Sequence, residues 1–262
     1  MVLGIDMGAS AVKLCALEGG EVALTHYEPG RAVDVPALLG SLGIDPSSAE
    51  RIALTGLSAG SAGLESPGLS PVRVPEPAAI GAGAQWLTSR DDLVVASIGT
   101  GTAFVHARGG EYRHICGTGV GGGTLRGLAR RVLGLDDMRE FDKLALGGDT
   151  NRVDLLIGDF VESYGQLDPY LTASNLARLE PPAGDADWAA GLTNMVLQVI
   201  GTMSMMACMA TGAVAVAVIG ALAGTAASRE NFATFTRAYG TEFIIPEHCE
   251  CATAIGAARL LI

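Results

Sequence analysis

Three glycine-rich turns hold the groups in this sequence that could do chemistry. They are "GIDMGASAVK" at 4–13, "SIGTGT" at 97–102 and "CGTGVGGGTLRGLARRVLGL" at 116–135. Small residues in such turns clear side chains away from the backbone N–H groups, so an anion can approach closely. A tight hairpin would use Gly8 and Ala9 equally well, and the first segment alone leaves both readings open. In the third, Gly117, Gly119, Gly121, Gly122 and Gly123 run straight into a helix with Leu125, Leu128, Val132 and Leu133 on one side. Free amides and the positive end of the helix dipole are expected to face that run, which suits a phosphate chain. The spacing is neither G-x-x-x-x-G-K-[ST] nor a strand-linked G-x-G-x-x-G with an acidic ribose partner. A nucleotide clamped between two similar halves fits three such turns.

The elements around the turns must position them. "VLGIDMG" and "AVKLCALEGG" read as strands, "VPALLGSLGI" as a helix, "RIALTG" as a strand and "AAIGAGAQWLTS" as a helix. "DLVVASIGTGTAFVHARGGEY" then repeats strand, turn and strand. Residues 5–10 and 97–102 occupy like places in successive units. This echo predicts a duplicated α/β fold with a cleft between the halves, here 1–90 and 91–262.

Composition narrows the partners. The chain has 262 residues, 49% hydrophobic and 17% charged, enough to bury a large core. Its formal charge is −11. Arg126, Arg130 and Arg131 lie on one helix and read as a solvated face, so no nucleic acid or anionic membrane is expected as partner. The odd number of cysteines, five, has no paired spacing that would make a disulfide framework. Cys249 and Cys251, with His248 beside them, are too few ligands for zinc. No charged residue occurs from Trp188 to Ser228, a length that could span a membrane. Gly212 divides it into a buried helix, with Met as flexible filler, and a buried strand. A buried helix–strand unit accounts for it better than a span. With no leader before the first strand, a cytoplasmic protein is expected.

The sequence resembles the type II pantothenate kinases, the fumble family, within the superfamily of actin, the heat-shock ATPases and the sugar kinases. The stretches that carry the resemblance are "GIDMGASAVK", "IALTGLSAG", "SIGTGTAFVHARGGEYRHICGTGVGGGTLRGL", "LALGGDTNRVDLLIGDF", "LTASNLARL" and "AIGAARLL". They keep family order over nearly the whole chain. The resemblance implies two ribonuclease-H-like lobes of the actin-like ATPase fold, Mg-ATP in the cleft and a homodimer. It implies transfer of the γ-phosphoryl group to the primary hydroxyl of pantothenate, the first step toward coenzyme A. Asp6 would then face Mg²⁺ and the phosphates, which suits a hard cation's need for oxygen. Gly8, Ala9, Ser10 and Lys13 would serve the phosphates, with Thr100 and Gly101 as a second loop. Gly121, Gly122, Gly123, Thr124 and Arg126 match the family's nucleotide-binding turn, and Met138 and Ala221 match positions near the nucleotide. Glu76, between Pro75 and Pro77, matches the general base that takes the acceptor's proton.

Two departures fall where the acceptor would bind. The family has Arg where this chain has His114, with Arg113 next to it, and Ser where it has Ala103. Neighbouring strand residues point to opposite faces, so either the register shifts or His114 takes the role with pH-dependent charge. Three functions are therefore weighed: a pantothenate kinase, a kinase of another small hydroxylated metabolite such as pantetheine, and a nucleotide-binding regulator without phosphotransfer.

Overall fold

Along the first strand, β1 (Val2–Met7), Val2, Gly4 and Asp6 face one side while Leu3, Ile5 and Met7 face the other, and all six are buried. Such two-sided burial marks a central strand. The computed structural model, which describes residues 1–56, 63–64, 70–161, 169–180 and 182–262, places β1 in the middle of a five-stranded sheet. β2 (Ala11–Glu18) and β3 (Glu21–Pro29) continue antiparallel on one side; β4 (Arg51–Thr55) and β5 (Val72–Arg73) add in parallel on the other. Helix α1 (Val35–Ser41) starts where the Asp34 carboxylate accepts the Ala37 amide at 3.0 Å. Its Val35 and Leu39 cover Leu3, Ile5 and Met7.

Helix α2 (Glu76–Thr88) leads to a second sheet. β6 (Asp92–Ile98), β7 (Thr102–Arg108) and β8 (Glu111–Thr118) form an antiparallel meander. After it come α3 (Gly122–Leu128), α4 (Met138–Leu146), a short hairpin of β9 (Leu155–Leu156) with β10 (Thr172–Ser174), and α5 (Asp185–Thr211). β11 (Ala215–Ile219) then pairs in parallel with β6, and α6 (Ala226–Tyr239) returns the chain to β12 (Glu242–Ile244), parallel to β11. The orders β3-β2-β1-β4-β5 and β8-β7-β6-β11-β12 are the same topology twice. The echo between residues 5–10 and 97–102 is thus the echo of two equivalent hairpins. The end of the "IALTGLSAG" stretch, residues 57–60, lies outside the described residues.

Helix α7 (Ala252–Arg259), from the far end of the chain, lies on β1, β2 and β4, whereas α2 lies on β6, β7 and β8. The two helices cross in backbone contact. A β-carbon on Gly83 would sit 2.0 Å from the Ala252 carbonyl oxygen, and one on Gly256 1.9 Å from that of Ala79. The layers are joined at this crossing.

Two expectations change. Behind the third glycine run, α3 is only one of two short pieces, followed by a π turn over Ala129–Leu133, and Val132 is exposed, away from the side of Leu125. Helix α5 is long and apolar enough to cross a membrane by length and composition, but half of its most apolar window is buried against the sheet and α6. Its methionines are not all core filler, since Met206 and Met209 are 63% and 85% exposed. The β9–β10 excursion is pinned to α5 by Asp154, fully buried, which accepts from Leu176 N (2.8 Å), Asn194 Nδ2 (2.7 Å) and Thr172 Oγ1 (3.2 Å).

Candidate active site

The β1–β2 and β6–β7 turns meet face to face. Ser10 Oγ and Thr100 Oγ1 lie 3.0 Å apart, although 90 positions separate them in sequence. Gly8 N closes the first turn on Ala11 O, and Gly99 N closes the second on Gly101 O. The amides of Ala9, Ser10, Thr100 and Gly101 have no acceptor among the described residues.

The third glycine run behaves differently from its sequence reading. The Gly122 and Gly123 amides donate to Gly99 O and Thr100 O, both at 2.9 Å, and Gly121 N donates to Thr124 Oγ1 at 3.2 Å. These donors are not free. The glycines instead let α3 dock directly on the second turn: a β-carbon on Gly121 would lie 2.7 Å from Gly101 O, and one on Gly123 2.6 Å from Thr100 Cγ2. The run positions a phosphate-type turn more than it forms one. Arg126 projects exposed from α3, and Met138, half-buried, opens α4 against the large core. Ala221 is exposed in the turn after β11. Gly220 brings that turn beside the second one, with φ +104° and room for a β-carbon only 2.1 Å from Ile98 O.

Beneath the first turn lies an ion pair. Asp6, 3% exposed, accepts from Lys13 Nζ at 2.8 Å. Burial alone would lower the Lys13 pKa, but the Asp6 carboxylate outweighs it and the net direction is up, so the ammonium is held charged. Its position under the turn is tight, since a β-carbon on Gly8 would be 3.4 Å from Nζ.

Glu76 is the first residue of α2, not a residue of the preceding loop, with Pro75 as N-cap and Pro77 behind it. It is open to the cleft, yet the protein around its carboxyl and the Asp6 charge raise its pKa, against the opposing pull of Lys13 and His114. The structure thereby brings Asp6, Lys13, Glu76 and His114 into one electrostatic group. Arg113 is not in it. A bulge in β8, between the Phe104–Cys116 and Val105–His114 pairs, turns both Ile115 and Cys116 to the core on the α5 side. His114 stays on the face of Tyr112, which packs on Gly81 of α2, and its Nε2 would be 4.0 Å from a β-carbon on Gly117. Ala103 is paired with Gly117 in the ladder, on the same face of the sheet as the Val105–His114 pair.

One neighbour of Asp6 has no mark in the sequence beyond its place in "ALTG". Thr55 ends β4 in register with Asp6, and its buried hydroxyl has no partner among the described residues. A polar residue ending a buried strand before a glycine is the only sequence signal that could have singled it out.

Two facing hairpin turns, each from one of two repeated sheets, with acid and base groups beside them, define the actin-like ATPase class of α/β folds. The solved structures agree at the level of fold. Component A of (R)-2-hydroxyglutaryl-CoA dehydratase from Acidaminococcus fermentans superposes with a TM-score of 0.70, at 17% identity, over 99% of this chain and 96% of its own. A ROK family glucokinase from Streptomyces griseus, solved with glucose and AMPPNP, gives 0.59 at 14% identity over 99% and 98%. The chain belongs to the Fumble family, whose model matches residues 92–239. It is 29% identical to the type II pantothenate kinase of Oceanobacillus iheyensis over 207 residues, 76% of this chain and 75% of that protein. It is 30% identical to a type II pantothenate kinase of Bacillus cereus over 122 residues, 44% of this chain and 43%, less than half, of that protein.

Proposed function

We propose that this chain is an ATP-dependent kinase that phosphorylates pantothenate or a close relative of it, with Mg²⁺ as its metal. The observation that carries the reading is the pair of facing turns with unspent amides, set directly above the Asp6–Lys13 pair and beside Glu76. The residues present suit a polyphosphate: the amides of Ala9, Ser10, Thr100 and Gly101, two hydroxyls and one ammonium converge. They also suit Mg²⁺, which ordinarily takes one or two carboxylates and completes its shell with water and phosphate oxygens. Among the described residues no three His, Cys, Asp or Glu side chains form a ready metal cage, so Asp6 would be its protein anchor. Bound there, Mg²⁺ would neutralise charge on the transferring phosphoryl group. Glu76 takes the proton of the acceptor hydroxyl as that oxygen bonds to the γ-phosphorus and the bond from γ-phosphorus to the β-bridging oxygen breaks. The acceptor would sit against His114, Ala103 and Gly117.

Saturating Mg-ATP is expected to raise the melting temperature, since a ligand of the native state stabilises it by mass action. The deciding experiment is ADP release with pantothenate, pantetheine and common sugars as acceptors. Release with pantothenate supports the reading, release only with pantetheine moves it to the alternative acceptor, and binding without release with any acceptor makes the chain a nucleotide-binding regulator.

Restoring a guanidinium tests this acceptor site. His114→Arg should hold or improve pantothenate turnover, because Arg adds a fixed charge and a bidentate fork. A kcat/KM for pantothenate that falls while another acceptor is used well would mark a pocket rebuilt for that acceptor.

The reading extends to a homodimer. On α5 the positions Met195, Val199, Thr202, Met206 and Met209 repeat at spacings of four and three, and the last four are exposed. Such a stripe is the seam along which two helices pack. Light scattering at micromolar concentration should report twice the chain mass, and Met206→Glu with Met209→Glu should report the single mass.

A further inference from the structure

We infer that Thr55 is a positioning residue of this site: its hydroxyl and Asp6 Oδ1 together hold a water of the Mg²⁺ shell. The inference rests on the kinase reading above. It starts from register. β4 runs parallel to β1 with Thr55 opposite Asp6, so the two side chains leave the sheet on the same face as neighbours. Thr55 is 1% exposed, and its Oγ1 has no hydrogen-bond partner among the described residues. Buried hydroxyls are nearly always paired, with protein or with ordered water. The fold gains nothing from this one that a valine of the same shape would not supply.

Asp6 is used by halves. Its Oδ2 binds Lys13 Nζ at 2.8 Å, and among the described residues no hydrogen bond reaches Oδ1. The backbone closes over Oδ1 at Gly56, where φ is +92° and a β-carbon would lie 2.7 Å from that oxygen and 2.6 Å from Met7 O. Only glycine lets the chain turn so close to that oxygen. A hydroxyl that donates and accepts, next to a carboxylate oxygen that only accepts, can orient one water with its remaining lone pair toward the cleft. Mg²⁺ keeps several of its waters when it binds protein and phosphate. Partners of that kind fix the geometry of the metal without touching it.

Thr55→Val removes the hydroxyl and keeps the shape; Thr55→Ser keeps the hydroxyl. The measurements are melting temperature without ligand, ATP affinity by calorimetry in EDTA, and the Mg²⁺ concentration that gives half of the Mg-ATP melting shift. In Thr55→Val the unliganded melting temperature should stay level or rise, ATP affinity in EDTA should be unchanged, and the Mg²⁺ midpoint should rise about tenfold. Thr55→Ser should titrate like the wild type. A wild-type midpoint in Thr55→Val overturns the inference. So does a lower unliganded melting temperature, which would make the hydroxyl part of the fold, or an equal loss of ATP affinity in EDTA. If the wild type itself shows no Mg-ATP shift, the kinase reading falls and takes this inference with it, which separates the two failures.

Discussion

Glu76→Gln should lower turnover roughly 100-fold or more, the usual scale for removing a general base. Glutamine keeps the size and much of the hydrogen-bonding shape but has no basic oxygen. ATP affinity should hold, because the facing turns and Lys13 do not depend on Glu76. The fold should hold as well. Burial and the Asp6 charge raise the Glu76 pKa in the folded chain. A carboxyl whose folded pKa is raised adds stability only below its unfolded pKa, and loses it as pH rises through the folded one. At neutral pH the ionised Glu76 is therefore a burden, and the amide should leave the melting temperature equal or higher. The same shift shapes the wild-type profile: a base with a raised pKa ionises later, so the acid limb of kcat/KM, which reports the free enzyme, should lie above that of an ordinary glutamate. Turnover of Glu76→Gln near the wild-type value would remove Glu76 from the chemistry.

Gly256→Val should be the most damaging single change to the fold. A β-carbon there would lie 1.9 Å from Ala79 O and 2.4 Å from Gly83 N, both backbone atoms of α2 that cannot rotate away. The helices would have to separate, and α7 cannot retreat, because a β-carbon on Gly4 of β1 already would reach within 2.0 Å of Ala254 O. Overpacking a core ordinarily costs about 1–3 kcal/mol, and a backbone clash belongs at or beyond the upper end. For a chain of this size that is a fall of roughly 10 °C in Tm, or loss of soluble protein. Gly127→Ala is the matched control. Nothing lies within 4 Å of its would-be β-carbon, so alanine should stabilise α3 slightly. A normal melting temperature for Gly256→Val would mean that the crossing is looser than the structure has it.

Much of this protein is written locally. The apolar run of β1 and the breaks at Gly8 and Gly212 are properties of a few consecutive residues, and they read correctly from the sequence. So did the repeated strand–turn–strand unit, because two copies of one hairpin share the same small-residue turn. The third glycine run misled for the same reason. Consecutive glycines before a helix look like free donors, and nothing local says that Gly99 O and Thr100 O will take two of them. His114 and Arg113 are indistinguishable until the register of β8 puts His114 on the Tyr112 face and the bulge brings Gly117 onto that same face. Nothing local places Glu76 beside Asp6 and Lys13 until α2 starts there, and Thr55 is silent until β4 lies beside β1. The sequence by itself determined the strands, the turns and the repeated unit, because backbone preference and burial period act over neighbouring residues. Only the tertiary structure decided which donors stay free and which charges meet, because the first follows from how α3 docks on the β6–β7 turn and the second from how α2 and α7 cross and join the two sheets.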